Sequence, residues 1–541
     1  MTDAPTTAGT PARPASAGSP ERPAGVRRGS LRGRWLPGWA RLLAAVAAGA
    51  LLAGSMPPRT AWYLVPAGAA VLTWALRGRP WRHRFVLGAA AGLGFFLPTL
   101  GWLTGFHPAG FAAVLVLEVL LFAAAMLAVD PRPARWWTVP AALVALEALR
   151  ARFPFGGFPI PGMALGQLDG PFVGAAPLGG SLLVLALATA SGAALTALLA
   201  TGRRVPTAVL AAALAALSTA GIVLAAPVGG TDGELRAVLV QGGGPRGIPA
   251  VVSDEQEVTE RLFRLSADLP SGIDLVLWPE SAITLTGRVA GSRDDERVAQ
   301  LARRTGATVV AGVTESEERN FRNAAVAWGP DGRILDRYEK VHRVPFGEYI
   351  PARGLFEQLS DMTALVPRDA VPGRGPGLLR TPAGPLGVVI SYEVFFSDRA
   401  RAAVTAGGQV LLVPTNASSY TTEEVPATEV AAARMRAREF DRAILQAAPT
   451  GYTAVVLPDG DVIAQGELGT PEVLAATVPL ETSRTVYART GDGPALVTVA
   501  LVLLAGPAEP LARRWTTRGT ARAVTEAGGG HQRGRGLRGG G

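Results

Sequence analysis

Apolar and polar positions divide the chain into two regimes. Between residues 39 and 226 seven apolar runs (39–56, 61–76, 85–106, 111–129, 136–149, 179–200 and 206–226) are separated by short polar breaks. Several approach the ~20 residues that a membrane-spanning helix needs, and the shorter ones borrow from their flanks. From 234 to 485 the apolar stretches shorten. Segments 237–240, 275–278, 308–311, 386–390, 410–413 and 453–457 read as strands, and 253–269, 294–305 and 427–441 between them read as helices. Near-continuous apolar strands divided by amphipathic helices predict a sheet covered on its faces, hence an α/β domain with its own core. A brief run at 494–511, interrupted by Pro507, is a candidate eighth span. The tails, 1–38 and 512–541, are rich in Gly and Arg, the first also in Pro, Ala, Ser and Thr, and are expected to be disordered. No convincing signal-cleavage pattern accompanies the first run.

Composition sharpens this division. A mean hydropathy of +0.26 with 18% charged residues is too apolar for an ordinary soluble enzyme. The net charge of +9 does not point to nucleic acid, because the arginines cluster in the tails and between apolar runs. Arg27, Arg28, Arg32 and Arg34 precede the first run, and Arg77, Arg79, Arg82 and Arg84 follow the second. Arg132 and Arg135 follow the fourth, Arg203 and Arg204 the sixth, while the breaks at 57–60 and 107–110 are almost uncharged. The positive-inside rule then predicts a multi-pass protein of the cell membrane with a cytoplasmic N-terminus and an extracytoplasmic 234–485 region. The eighth span would return Arg513, Arg514 and Arg518 to the cytoplasm, so both termini lie on that side. The chain has no cysteine, which excludes disulfides and thiolate metal centres, and its four histidines are scattered. No cofactor or metal is expected.

Candidate chemistry lies in the second region. Residues 386–397 read as an apolar strand that breaks into Ser391-Tyr392-Glu393 and turns into a helix; open α/β sheets place reacting groups at such strand ends. Glu280 follows another apolar strand in LVLWPES. It is either a solvated strand-end carboxylate or a general base whose pKa burial raises. Of the 52 basic residues only Lys340 is a lysine. A lysine is a compact charge on a flexible stem, where arginine presents a broad planar fork, so Lys340 is read as functional and suited to a developing oxyanion. Glu348, eight positions on, either lies at the surface or supports the lysine. Tyr392 and Glu393 either brace the turn at Ser391 or cap the following helix. Glu118 and Glu147 lie in apolar runs, where ionisable groups are expensive, and Arg150 shares a helical face with Glu147. The Pro- and Gly-rich stretch 349–380 reads as a lid or a surface loop.

Taken together, WPES, YEKVHRVPFGEYIP, ISYEVFF and VPTNAS…ARMRAREFDRAILQAAPTGYTAVVLPDG resemble the carbon–nitrogen hydrolase (nitrilase) superfamily. With the apolar bundle, and with ALRARFPFGGFPIPGMALGQLDGP, they resemble its bacterial apolipoprotein N-acyltransferase branch over roughly residues 39–511. The resemblance implies an α-helical membrane bundle carrying an extracytoplasmic αββα sandwich. It implies transfer of a fatty acyl chain from a glycerophospholipid to the N-terminal amine of a diacylglyceryl-cysteine apolipoprotein, in two steps through an acyl-enzyme. By motif, Glu280 is the base, Lys340 the oxyanion partner and Ser391 the nucleophile, with Glu348, Tyr392 and Glu393 in support. Two departures stand out: the family's nucleophile is cysteine, and Asn416 is followed here by Ala-Ser-Ser-Tyr rather than an aromatic-rich segment. The alternatives are a membrane-tethered amidase, and a catalytically impaired homologue that acts as a membrane partner of polyprenol-phosphate mannose synthase.

Overall fold

A computed structural model describes residues 38–201, 230–247, 255–359 and 366–504. Both tails, the seventh apolar run at 206–226 and the end of the eighth beyond 504 lie outside the described residues.

Each of the first six apolar runs forms a helix: α1 (Trp39–Gly54), α2 (Leu64–Leu76), α3 (Trp81–Thr99), α4 (Pro108–Ala125), α5 (Thr138–Arg150) and α6 (Ala176–Thr201). Proline sets two of the starts. Pro80 precedes α3, which therefore begins four residues before the apolar run, and Pro108 opens α4, where the His107 side chain accepts from the Gly110 N–H. The helix α6 is broken at Gly179 and Gly180, the latter at φ +66°. Small residues let the helices meet backbone to backbone: a Cβ on Gly49 of α1 would lie 2.0 Å from the Ala91 carbonyl oxygen of α3. Leu43, Leu97, Val116, Leu120, Leu195 and Leu199 point outward and are exposed. The segments Pro108–Ala128 and Val173–Ala200 are long and apolar enough to cross a membrane.

One charged residue organises the far end of this bundle. Arg150 is wholly buried and uses all five of its N–H groups. Nε donates to Glu118 (2.8 Å) and one terminal nitrogen donates to Glu147 (2.6 Å) and the Pro161 carbonyl (3.0 Å). The other donates to the carbonyls of Phe158 (3.3 Å) and Ile160 (3.1 Å). Glu147 in turn accepts from the Met163 N–H. The pairing expected for Arg150 and Glu147 is present, and it extends to Glu118 and to the loop after α5.

The second region is a sandwich of two sheets. The first runs in the order β14 (Glu472–Glu481), β1 (Thr231–Gln241), β2 (Leu275–Leu277), β4 (Thr308–Ser316), β5 (Asn320–Trp328), β6 (Ile334–Glu339), with β3 (Ile283–Thr286) on β4 and β7 (Asp369–Ala370) on β5. The second runs β13 (Val462–Gln465), β12 (Ala454–Val456), β11 (Ile444–Ala447), β10 (Val410–Pro414), β9 (Gly384–Val388), β8 (Leu378–Thr381). The central strands β1, β2 and β4, and likewise β9, β10 and β11, are parallel. Alternation along each strand sorts the side chains: Leu235, Ala237 and Leu239 of β1 meet Val410 and Leu412 of β10 between the sheets. Val238 and Val240 face outward to α7 (Glu255–Leu265) and α8 (Arg293–Thr305). Leu411 and Val413 face α10 (Ser397–Thr405) and α11 (Glu424–Phe440), and the core on that side is continuous with the helical bundle. The result is the expected αββα sandwich. The stretch 349–380 holds α9 (Arg353–Leu359) and is pinned in its described parts: Arg353 pairs with Asp369, and the Ala370 N–H donates to the Glu348 carbonyl.

The bundle and the sandwich meet at one end of the helices. Glu439 accepts from the Ser181 N–H (2.7 Å), Arg434 pairs with Asp169 (2.7 Å), and Tyr392 donates to the Gly157 carbonyl (2.8 Å). By connectivity this end is opposite to the arginine clusters at 77–84 and 132–135.

Replacing Arg150 with Met leaves Glu118 buried without its cation and frees the carbonyls of 158–161. We expect a loss of roughly 3–5 kcal/mol, read as a lowered unfolding midpoint in detergent. Arg150→Lys restores little of it, because one ammonium cannot reproduce five directed N–H bonds.

Candidate active site

The ends of β2 and β6 bring Glu280 to Lys340 and Glu348 in one buried cluster. Glu280 follows β2 after Trp278 and Pro279, Lys340 follows β6 directly, and Glu348 lies in the loop beyond it. Lys340 Nζ donates to Glu280 Oε1 at 2.8 Å and to Glu348 Oε1 at 2.7 Å, with the lysine side chain 2% exposed. Asn323, from the middle of β5, donates through Nδ2 to Glu280 Oε1 (2.7 Å) and Glu348 Oε1 (3.2 Å). The two carboxylates then differ. Glu348 Oε2 is occupied by the Val344 N–H at 2.8 Å, whereas Glu280 Oε2 has no hydrogen-bond partner among the described residues. Lys340 likewise spends two of its three N–H donors and keeps one.

Local backbone geometry holds Glu280 in place. Ser281 adopts φ +54°, and the Gly312 N–H donates to the Pro279 carbonyl at 3.1 Å. A Cβ on Gly312 would sit 2.5 Å from the Glu280 Cα, so only glycine lets β4 pass this close.

Ser391 opens a short 3₁₀ turn, Ser391–Phe395, directly beyond β9. Its φ of +48° is a left-handed conformation uncommon for a residue with a Cβ, of the kind that recurs where a side chain is held at the tip of a strand-to-helix turn. Glu393 ties this turn to the lysine loop. Its Oε1 accepts from the Val341 N–H (2.8 Å), the His342 N–H (3.0 Å) and the Tyr338 hydroxyl (2.8 Å). Its Oε2 accepts from the Ile390 N–H (2.8 Å) and again from Tyr338 (2.9 Å). Glu393 thus grips the residue before Ser391 and the two residues after Lys340 at once. Tyr392 reaches the opposite way, to Gly157 in the loop that Arg150 holds, and packs with Ile160 and Phe396.

The electrostatics follow from burial. Burial and the neighbouring Glu348 raise the Glu280 carboxyl above its ordinary value, against the pull of Lys340 and Asn323. Burial opposes the charge on Lys340, but the two carboxylates outweigh it and hold its pKa well above the ordinary lysine value.

All six residues singled out from the sequence therefore fall in one region. Glu280, Lys340 and Glu348 touch; Glu393 and Tyr392 brace the Ser391 turn. Ser391 itself has no hydrogen bond to its hydroxyl among the described residues and is 8% exposed. Sequence reading missed Asn323, a mid-strand asparagine without a motif. It also missed Tyr420, whose ring packs on Trp102 and Phe106 at centroid distances of 5.3 and 5.5 Å and so joins the sandwich to the helical side. The Ala-Ser-Ser-Tyr run after Asn416 thus still delivers one aromatic ring.

Both regions of the chain match known families. Residues 48–194 match the model of the apolipoprotein N-acyltransferase N-terminal domain, and residues 237–488 match that of the carbon–nitrogen hydrolases. The apolipoprotein N-acyltransferase of Mycolicibacterium smegmatis is 30% identical over 92% of this chain and 89% of its own. The chain belongs to the apolipoprotein N-acyltransferase family. It is an acyltransferase on a carbon–nitrogen hydrolase fold. Relatives of the same name in Rhodopseudomonas palustris (29% identical, covering 86% of this chain and 95% of theirs) and Pseudomonas aeruginosa (30%, covering 80% and 89%) match across both halves as well.

A glutamine at 393 keeps one acceptor oxygen and turns the other into a donor facing the Ile390 or Val341 and His342 N–H groups. Glu393→Gln should cost roughly 1–3 kcal/mol in denaturant unfolding. Tyr338→Phe removes one donor from a carboxylate that keeps three backbone N–H groups, and should cost less.

Proposed function

We propose that this acyltransferase N-acylates apolipoproteins through an ester on Ser391, taking the acyl chain from a glycerophospholipid. The observation that carries the reading is the unequal use of the cluster: Glu280 keeps one oxygen open and Lys340 keeps one N–H open, beside the turn that Glu393 fixes at Ser391. In the first step the Ser391 hydroxyl loses its proton to Glu280 Oε2 as Oγ adds to the ester carbonyl of the lipid. Lys340 directs its remaining N–H to the oxyanion, and Glu280 returns the proton to the leaving lysophospholipid oxygen. In the second step the α-amine of the lipoprotein adds to the Ser391 ester, gives a proton to Glu280, and leaves as an amide while Ser391 recovers its hydroxyl. Glu348 and Asn323 hold Lys340 and Glu280 at their distances, and Tyr392 and Glu393 hold the turn. A serine needs a stronger base than a thiol does, and burial supplies it by raising Glu280.

The same reading places the helices in the cell membrane. Outward-facing leucines and valines on α1, α3, α4 and α6 suit lipid, and the arginine clusters at the end away from the sandwich suit the cytoplasmic side. Both termini are then cytoplasmic and the sandwich lies outside. Trp102, Phe106 and Phe155 stand where the sandwich meets the helices, so an acyl chain can reach the site from the bilayer.

The test is the intact mass of the purified protein after incubation with phospholipid in detergent. A fatty-acyl increment is expected on the native chain and, as a thioester, on Ser391→Cys, and none on Ser391→Ala. Its absence from the native chain, with or without an increment on the cysteine form, would sink the serine ester. Lys340→Met should slow acylation by about 10²–10³-fold, the effect of losing one oxyanion donor. A diacylated lipopeptide should then yield an N-acyl amide; release of free fatty acid instead would mark a membrane-tethered amidase.

A further inference from the structure

The buried carboxylates among the described residues are Glu118, Glu280, Glu315, Glu393, Glu429 and Glu439. Five of them have an arginine or lysine nitrogen in ion-pair contact: Arg150, Lys340, Arg337, Arg399 and Arg436 respectively for Glu118, Glu280, Glu315, Glu393 and Glu439. Glu429 is the exception. It lies on the inner face of α11, 3% exposed, and its hydrogen bond is from the Thr415 hydroxyl to Oε1 at 2.8 Å. Its Oε2 is buried with no partner among the described residues. The turns of its own helix on either side, Val425, Pro426, Ala432 and Ala433, are apolar.

Its position is not peripheral. Thr415 follows β10, the strand next to β9, and the Thr415 carbonyl accepts from the Glu280 N–H at 3.3 Å. One residue therefore links Glu429 to the general base. Besides Thr415, the charges that act on Glu429 are Glu280 and Lys340, from the ends of β2 and β6, and Glu429 in turn acts on Tyr420. A carboxylate fully buried without a cation is costly, and a proton removes the cost. Burial, with the neighbouring Glu280 adding to it, pushes the Glu429 carboxyl up to about 8.

We infer that Glu429 is a further positioning residue of the acyl-transfer site: an uncharged carboxylic acid that holds Thr415, and through it the Glu280 peptide, without adding charge beside Lys340. The inference rests on the function proposed above. As the tetrahedral intermediate forms, Glu280 takes the Ser391 proton, so the negative charge that Glu280 carried at rest moves to the oxyanion beside Lys340. An ionised Glu429 would add a further negative charge to the same low-dielectric region and oppose the gathering of charge on the oxyanion. Sign and window follow. Below about pH 8 Glu429 holds its proton and the site is competent; as pH rises through that value the proton is lost and acylation slows. Lys340 does not supply this alkaline limb, because its pKa is held far higher.

Two measurements on the full-length protein in detergent test this. The first is the pH dependence of Ser391 acylation by phospholipid for the native chain, Glu429→Gln and Glu429→Ala. The native rate should fall on going from about pH 7 to about pH 9.5, and the glutamine form should lack that fall. The alanine form should be slower by about tenfold, the worth of about one hydrogen bond, and glutamine should recover most of that loss. The second is the infrared carbonyl band of a protonated carboxylic acid, present at neutral pH in the native chain, absent from Glu429→Gln, and bleached on raising the pH. An alkaline limb unchanged in Glu429→Gln, no recovery by glutamine, or no such band would overturn the inference while leaving the serine ester intact. A native chain that shows the band but takes up no acyl group would instead overturn the acyl-transfer reading, and the positioning role with it.

Discussion

A single ammonium buried between two carboxylates is the constraint around which the catalytic half is built. Lys340 can be ionised at 2% exposure only because Glu280 and Glu348 lie at 2.8 and 2.7 Å. Glu280 arrives from the end of β2, and Lys340 and Glu348 from the end of β6 and the loop beyond it, so the first sheet must be assembled before the charges can meet. Asn323 donates to both carboxylates and fixes which oxygen of each faces the lysine. The result is an asymmetry, with Glu280 Oε2 open and Glu348 Oε2 closed by the Val344 N–H.

Two further devices transmit position to this cluster. Glu393 converts the order of the β9 end into the order of the lysine loop, since one carboxylate accepts N–H groups from both. Arg150 does the equivalent work on the helical side. Its five N–H bonds shape residues 158–161, and the adjoining Gly157 carbonyl receives the Tyr392 hydroxyl. The residues flanking Ser391 are therefore anchored in opposite directions, one to the lysine loop and one to the bundle. Tyr420 against Trp102 and Phe106 adds an apolar seam between the same two parts. Glu429 stands out among the buried carboxylates of the described residues because no cation pairs with it.

The strands that sequence reading found are those with continuous apolar runs, because both of their faces are covered. Those it missed include β6, β13 and β14, whose residues are mostly half-buried or exposed and which sit toward sheet edges, and β3, β7 and β8, which are two to four residues long. The buried strands β5 and β11 were missed as well: β5 opens on polar Asn320, Arg322 and Asn323, and β11 is four residues shortly after a helix. Proline decided the boundaries that shifted most clearly, as at Pro80 before α3.

The sequence by itself determined the two regimes of the chain, the helix-forming runs, the α/β character of the second half and the identity of the six candidate residues. These depend on periodicity, on residue type and on motif, all of which are local. Only the tertiary structure decided which glutamate keeps a free oxygen, that Asn323 bridges the pair, that Glu393 ties two strand ends, and that Glu429 lacks a cation. Each of those is a relation between residues tens to hundreds of positions apart, set by strand order and sheet packing, and no local pattern in the chain encodes it.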